Sequence, residues 1–308
     1  MAALGHTEEA EASQHQGRIV HIAALDDLKL AARLFGRPEA GRLPVLCLAG
    51  LSRNSRDFVR LGQSLAERPG DSRLVAALDV RGRGLSEADR NWRNYTPLVE
   101  AQDAMAAAAA LGIEKAVIVG TSRGGIIAMI LGALRPGLIG GVVLNDIGPV
   151  IEGTGLARIK KYLSSRRLPK SWDEAVAAVK RINAAHFPGL DESDWRAMAE
   201  ATFGEEDGVL TPRFDPKLLQ MVDGIDLEMA LPVLWNQFDS LSGVPVLSIR
   251  GEHSDILRSD TVDAMEERHP HFERLTVPGQ GHAPLLRDRP TLERIAAFCR
   301  RCDALAQR

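Results

Sequence analysis

Apolar residues are not spread evenly along the chain but cluster into short runs separated by longer amphipathic or polar stretches. Helical periodicity follows several of these runs, for example at residues 98–111. Strands that alternate with helices at this spacing predict an α/β fold with a doubly wound, mostly parallel central sheet. The runs that we interpret as strands of this sheet lie at residues 44–50, 73–80, 116–119, 138–144, 244–250 and 273–277.

The start of the chain has a different pattern. Two short, mostly apolar runs at residues 18–25 and 29–35 are separated by Asp26 and Asp27, which predicts an antiparallel pair that opens the sheet. Residues 1–17 are polar and acidic and contain no apolar segment typical of a targeting peptide. We therefore expect a disordered tail there.

Strand periodicity is interrupted between residues 150 and 241. This stretch is polar, helical in period and without a convincing buried strand, and residues 205–208 together with Pro212 indicate a loop inside it. A length of about ninety residues is far too great for an ordinary connection between two strands. We therefore predict a helical cap at residues 150–241, inserted into a core domain formed by residues 18–149 and 242–308.

One serine lies where a buried run meets a helix. Ser122 stands between Gly120 and Gly124 in a Gly-x-Ser-x-Gly pattern, after the run at residues 116–119 and before an apolar stretch rich in small residues. A strand, a sharp turn and a helix in this order are typical of a nucleophile elbow, where side chains at the two glycines would clash with neighbouring backbone. The pattern predicts that Ser122 is a catalytic nucleophile.

A serine hydroxyl needs a histidine to take its proton and a carboxylate to orient that histidine. His282 follows the run at residues 273–277 in a glycine-flanked loop, and Asp255 follows the run at residues 244–250. Both loops would lie at the carboxyl end of the sheet, and the order Ser122, Asp255, His282 is the one that such an arrangement requires. We predict that these three residues form a catalytic triad.

Other residues could fill two of these roles. Asp146 is the main alternative acid, because it also directly follows a predicted strand, and Glu252 and Asp260 are weaker alternatives. His253 is a weaker alternative base, since its loop precedes the last strand. The alternative for each carboxylate is a purely structural role, in which it caps a turn.

Acyl transfer also needs two fixed hydrogen-bond donors for the oxyanion, and backbone amides serve best because they cannot swing away. We predict the amide of Arg123, directly after the nucleophile, and the amide of Leu51, in the loop after residues 44–50. The side chains of Arg53 and Arg123 suggest a substrate that carries a carboxylate. The alternative is that both arginines face solvent or form structural ion pairs.

Four motifs occur together in the chain: Gly120-Thr121-Ser122-Arg123-Gly124-Gly125, Asp79-x-Arg81-Gly82-x-Gly84-x-Ser86, Gly251-x-x-Ser254-Asp255 and Gly279-x-Gly281-His282. With them the chain resembles the α/β-hydrolases with a helical cap, in the branch of esterases, lactonases and epoxide-hydrolase-like enzymes. The resemblance spans about residues 18–304 and implies catalysis through an acyl-enzyme.

Two features set this chain apart within that resemblance. The family usually has His-Gly where this chain has Ala49-Gly50, so the contacts by which that histidine braces the oxyanion loop are missing. The serine at position 122 distinguishes the chain from haloalkane dehalogenases and epoxide hydrolases, which use an aspartate there.

Composition excludes several other classes. The 308-residue chain has a formal net charge of -3 and no basic stripe, which argues against a nucleic-acid partner, and its apolar stretches are too short to span a membrane. Three cysteines make a poor disulfide framework, so we expect a reducing, cytoplasmic location. We expect no cofactor, because neither metal-ligand spacing nor a dinucleotide fingerprint occurs. A monomer or a homodimer is expected.

The function that these features favour is hydrolysis of a small carboxylic ester or lactone. Trp172, Trp195 and Trp235 of the predicted cap are candidates for lining the substrate pocket, with core packing inside the cap as the alternative. Two other functions stay open. One is a carbon–carbon bond hydrolase of ring-cleavage diketones, and the other is a hydrolase-like protein that binds a ligand without catalysis.

Overall fold

The computed structural model describes residues 16–163, 168–224 and 232–307. The tail predicted at residues 1–17 lies almost entirely outside this described part. Among the described residues, none of the helices combines the length and the apolar character needed to cross a bilayer.

Eight strands of the described chain form one sheet, in the order β1-β2-β4-β3-β5-β6-β9-β10. The second strand runs antiparallel to both of its neighbours, and the remaining strand pairs are parallel. The sheet is therefore the mostly parallel one that the sequence predicts, opened by an antiparallel pair. Its strands are β1 Arg18–Ala23, β2 Lys29–Phe35, β3 Val45–Leu48, β4 Val75–Asp79, β5 Ala116–Thr121, β6 Ile139–Asn145, β9 Val246–Gly251 and β10 Phe272–Val277.

Helices cover both faces of this sheet, because the strands are apolar on both sides. On one face, α1 (Val59–Ala66) and α10 (Arg289–Ala306) bury their apolar sides against the sheet. The other face is covered by α2 (Pro97–Ala110), α3 (Arg123–Leu134) and α9 (Ser259–Arg268). The result is a doubly wound sheet whose parallel strands end at one common edge.

The segment between β6 and β9 lies over that edge, and we call it the cap segment. It contains a small apolar core of its own, formed around Trp195, Phe187 and Val179. Its last helix packs on α3 and belongs to the main core instead. The helices of the cap segment are α4 Gly153–Leu163, α5 Trp172–Asn183, α6 Glu192–Thr202, α7 Leu218–Asp223 and α8 Trp235–Asp239.

The cap segment is not purely helical, which corrects the sequence-based prediction. Two short antiparallel strands, β7 (Phe203–Glu206) and β8 (Val209–Pro212), form a hairpin around Asp207 and Gly208. The loop predicted at residues 205–208 is therefore the turn of this hairpin and its flanks. Strands of four residues that are partly exposed lack the continuous apolar run by which the longer strands are recognised.

Candidate active site

Ser122 occupies a sharp turn between β5 and α3. Its φ of 52° lies in the left-handed region, which is rare for a residue with a side chain and marks local backbone strain. A Cβ added at Gly124 would overlap the carbonyl of Leu48, and one added at Gly120 would overlap the backbone of Gly124. Both glycines are therefore required by the close approach of neighbouring backbone, as the elbow pattern predicts.

His282 lies within hydrogen-bond distance of this serine. Nε2 of His282 lies 2.9 Å from Oγ of Ser122, and the imidazole is largely buried in the loop between β10 and α10. The hydroxyl can donate to Nε2, which is the geometry that a histidine needs to remove the proton of an attacking serine.

The carboxylate that contacts the histidine belongs to Asp146 and not to Asp255. Oδ2 of Asp146 lies 2.8 Å from Nδ1 of His282, and the side chain of Asp146 is 0% exposed. The same carboxylate accepts from the backbone N–H of Gly251 at 2.7 Å and from the hydroxyl of Ser254 at 2.6 Å. Three donors thus hold it in the plane where it can orient the imidazole.

Asp255 points away from the histidine, which corrects the prediction made from its position in the chain. Its two carboxylate oxygens accept from Arg158 of α4 at 2.6 and 2.9 Å. Burial opposes ionisation of Asp255, but the hydrogen bonds and charge of Arg158 outweigh it and lower the pKa of Asp255. This residue therefore joins the core to the cap segment by an ion pair.

Two polar residues beside the site have roles that the sequence did not indicate. Ser254 donates to Asp146 while accepting from the backbone N–H of Leu257 at 3.0 Å. Asn145 donates from Nδ2 to the hydroxyl of Thr121 at 3.0 Å and to the carbonyl of Pro284 at 2.9 Å. Asn145 therefore links the strand before the serine to the loop that carries His282. The sequence signal for Asn145 is its position at the end of a strand, and Ser254 also belongs to the Gly251-x-x-Ser254-Asp255 motif.

Arg123 directly follows Ser122, and Leu51 follows Gly50, where an added Cβ would be 3.7 Å from Cβ of Ser122. Arg123 is the first residue of α3, so its N–H has no partner within the helix. Neither amide donates to another group within the described chain. Both amides are therefore unpaired within the described chain.

The side chain of Arg123 does not reach the substrate side of the serine, which corrects the prediction that it binds a substrate carboxylate. Its guanidinium is 10% exposed and pairs with Glu100, with Nε of Arg123 2.6 Å from Oε2. It also donates to the carbonyl of Tyr95 at 2.7 Å. Arg123 thus forms a buried structural ion pair, the alternative considered for it.

Arg53, by contrast, lies beside the nucleophile. A Cβ added at Gly50 would be 3.4 Å from Cγ of Arg53 and 3.7 Å from Cβ of Ser122. The guanidinium pairs with both oxygens of Asp57, at 2.9 and 2.5 Å, and donates to the hydroxyl of Thr202 in the cap segment at 2.5 Å. Arg53 therefore ties the oxyanion loop to the cap segment.

A cavity of about 400 Å³ opens above Ser122 and His282, between the edge of the sheet and the cap segment. Its walls are largely apolar on the cap side, where Val179, Phe187 and Met198 line it. A site of this size and lining suits a small ligand with an apolar body.

The three tryptophans predicted to line the pocket are absent from its described walls. Trp195 is 2% exposed in the core of the cap segment, and Trp172 packs against that core while donating to Glu205 at 2.7 Å. Trp235 packs on the main core, with Arg268 5.3 Å above its ring. All three have packing roles, so the prediction of a tryptophan-lined pocket is wrong.

Arginine is the prevailing charged residue around the cavity. Arg158, Arg287 and Arg53 are paired with Asp255, Asp194 and Asp57, respectively.

Two other arginines of the cavity wall, Arg56 and Arg60, form no ion pair with any carboxylate of the described chain. The charge of Arg56 also acts on its neighbours, because burial and then Arg56 lower the pKa of Arg33 and of Arg213. The cavity therefore carries excess positive charge on the side of residues 56–60.

Comparisons with known proteins identify the family of this chain. The sequence profile of the α/β hydrolase fold family matches residues 44–288. A 3-hydroxybutyrate-oligomer hydrolase of Cupriavidus necator is 31% identical over 292 residues, which cover 90% of this chain and 94% of that protein. A 2-(acetamidomethylene)succinate hydrolase of Mesorhizobium japonicum is 26% identical over 246 residues, covering 79% of this chain and 83% of that protein.

Solved structures give the same result. The crystal structure of an α/β hydrolase from Novosphingobium aromaticivorans superposes with a TM-score of 0.82 at 33% identity, covering 93% of this chain and 99% of that one. The strand order, the elbow and these similarities lead to one conclusion: the chain belongs to the α/β-hydrolase fold family and is a hydrolase.

Proposed function

We propose that the protein hydrolyses small carboxylic esters or lactones with Ser122 as nucleophile, His282 as general base and Asp146 as the acid that orients the imidazole. The observation that carries this proposal is the continuous line of contacts from Asp146 to His282, at 2.8 Å, and from His282 to Ser122, at 2.9 Å. Asp146 replaces Asp255, which the sequence favoured.

The reaction follows from these contacts. Oγ of Ser122 attacks the ester carbonyl while its proton passes to Nε2 of His282, and the amides of Leu51 and Arg123 donate to the resulting oxyanion. The imidazolium then gives the proton to the departing alkoxide, which leaves an acyl-enzyme. Water, deprotonated by the same imidazole, attacks the acyl group and releases the carboxylic acid and free Ser122. The proposed reaction steps need no cofactor.

The charge around the cavity supports a substrate that carries a carboxylate besides the ester. Arg56 and Arg60 supply positive charge that no carboxylate of the described chain neutralises, and guanidinium groups pair well with carboxylates. The names of two relatives point the same way, because a hydroxybutyrate oligomer and a substituted succinate are both carboxylates. We therefore propose esters of hydroxy acids as the substrate class.

The nucleophile is tested with Ser122→Ala and a short p-nitrophenyl ester. Wild type should turn the ester over and be labelled at Ser122 by a fluorophosphonate, and Ser122→Ala should do neither while keeping the melting temperature of wild type. Turnover that survives in Ser122→Ala would contradict the proposal. Failure of the probe to label wild type would favour a ligand-binding protein instead.

The substrate class is tested by comparing the linear dimer of 3-hydroxybutyrate with its methyl ester, which has the same scissile bond but no charge. We expect a higher kcat/KM for the acid, and a loss of that preference in Arg56→Gln combined with Arg60→Gln. Arg37→Gln is the matched control, because Arg37 is exposed and lies outside the cavity wall. Equal kcat/KM values for the two substrates would rule out carboxylate recognition, and turnover of a dienoate diketone alone would indicate a carbon–carbon bond hydrolase.

A further inference from the structure

A buried chain of charged side chains connects the two residues whose amides we propose as oxyanion donors. Glu100 of α2 lies between two arginines, with Oε1 2.8 Å from Nη1 of Arg83 and Oε2 2.6 Å from Nε of Arg123. The side chains of Arg83 and Glu100 are both 0% exposed. Arg123 is itself one of the two oxyanion residues.

The other end of this chain reaches the oxyanion loop. Nε of Arg83 donates to the backbone carbonyl of Leu51 at 2.9 Å, and Nη1 of Arg83 donates to the carbonyl of Arg81 at 2.7 Å. A fixed carbonyl holds the peptide plane on one side of Leu51, so that only the φ and ψ torsions of Leu51 itself separate the held group from its N–H. Position 49, directly before Gly50, is an alanine, whose methyl side chain can form no hydrogen bond to this loop.

The backbone around Arg83 is hydrogen-bonded to the cap segment. Residues 82–84 pair with residues 213–215, since the N–H of Gly84 donates to the carbonyl of Arg213 and the N–H of Asp215 donates to the carbonyl of Gly82, each at 2.8 Å. A Cβ at Gly82 would lie 2.6 Å from the hydroxyl of Tyr95, so the loop is tightly held. The arginine that touches the oxyanion loop is thus anchored on both sides.

We propose that Arg83 and Glu100 are positioning residues of the oxyanion hole, which hold the amides of Leu51 and Arg123 at a fixed distance and angle from each other. The proposal rests on the proposed function. Oxyanion donors accelerate acyl transfer only if they are already oriented when charge develops. Charge-assisted, fully buried hydrogen bonds are strong and rigid enough to supply that orientation.

A purely structural ion pair would give a different result from a positioning one. Loss of a structural pair lowers stability and leaves the chemistry of the remaining folded protein unchanged. Loss of a positioning pair weakens binding of the transition state and spares binding of the substrate, so that kcat falls while KM stays constant. A fall in the kcat of the folded protein at constant KM therefore indicates a positioning role.

The experiment compares Arg83→Met and Glu100→Gln with wild type on a short p-nitrophenyl ester, and measures the rate of fluorophosphonate labelling at Ser122. We expect kcat and the labelling rate to fall by roughly 10²-fold, the effect of a small misplacement of catalytic groups, with KM unchanged. Arg83→Lys keeps a positive charge beside Glu100 and serves as the conservative variant. It should recover part of the rate and remains informative if Arg83→Met does not fold.

Arg73→Met is the matched control. Arg73 is equally buried, pairs with Asp71 and Asp303, and donates to the carbonyl of Leu43 at 3.2 Å, but at the opposite end of β3. The melting temperature of Arg73→Met should fall, while its kcat and its labelling rate should stay at the wild-type values. An unchanged kcat in both Arg83→Met and Glu100→Gln, or an equal loss in Arg73→Met, would overturn the proposal. If Ser122→Ala leaves turnover of the ester unchanged, the proposed function itself is refuted.

Discussion

Asp146 lies 2.8 Å from His282 although 136 positions separate them in the chain, whereas Asp255, only one residue beyond a donor to Asp146, contacts Arg158 instead. The strands that precede the two aspartates, β6 and β9, are parallel neighbours in the sheet. Their loops therefore meet at one edge, and the direction of each side chain decides which carboxylate reaches the imidazole.

This relationship predicts opposite effects of two equivalent substitutions. Asp146→Asn removes the charge that stabilises the imidazolium and permits the wrong tautomer of His282, so we expect kcat to fall by about 10⁴-fold. Asp255→Asn should leave kcat unchanged, because the residue it alters does not contact the histidine. Steady-state kinetics on a p-nitrophenyl ester measure both.

The two variants also control for each other's stability. Asp255→Asn leaves Arg158 without its charged partner, and a partly exposed ion pair of this kind, with both side chains 22% exposed, contributes about 1 kcal/mol to the free energy of unfolding. A large loss of kcat in Asp255→Asn with a small one in Asp146→Asn would restore Asp255 as the acid.

A second prediction concerns two residues of the same helix, α6. Trp195 is buried in the core of the cap segment, whereas Met198, three positions later, lines the cavity above Ser122. Trp195→Ala should lower the free energy of unfolding by about 3–5 kcal/mol through loss of packing. Met198→Ala should instead enlarge the cavity and lower KM for esters with a longer acyl chain.

Urea unfolding and a series of p-nitrophenyl esters of increasing acyl length distinguish these effects. The same change in acyl-chain preference in both variants would show that Trp195 also shapes the pocket.

A third prediction concerns the three cysteines, all of which are free and buried. Burial raises the pKa of Cys299 to about 12, and it also raises the pKa of Cys47 and of Cys302. Because only the thiolate reacts with iodoacetamide, we expect no alkylation of the folded protein at pH 8.

Intact mass after alkylation measures this directly. In guanidinium chloride all three thiols should react, which provides the positive control. Rapid alkylation of the folded protein at Cys299 or Cys302 would show that their C-x-x-C spacing forms an accessible, reactive pair.

Much of the fold could be predicted because its signals are local. Buried strands are apolar on both sides, so β3 to β6 are visible as continuous runs. Gly120 is required by backbone contacts within the elbow itself, whereas Gly124 is required by the carbonyl of Leu48 at the end of β3. The hairpin at residues 203–212 escaped prediction, since its strands are short and half exposed.

The roles of single side chains were harder to predict. An arginine beside the nucleophile suggests a substrate contact, but Arg123 turns inward to Glu100, a residue of another helix. The tryptophans of the cap segment are of a residue type common in pocket walls, but they pack in or against apolar cores. Which way a side chain points depends on the element packed against it, and that element is distant in the chain.

The sequence by itself determined the strands that carry the site, the serine at the elbow and the histidine after the last strand, because each depends on the backbone of one strand and its following turn. Only the tertiary structure decided which aspartate meets the histidine. The loops after β6 and β9 lie side by side, and Ser254 faces Asp146 while Asp255 faces α4. Side-chain direction within adjacent loops follows from packing between elements that the linear chain does not bring together.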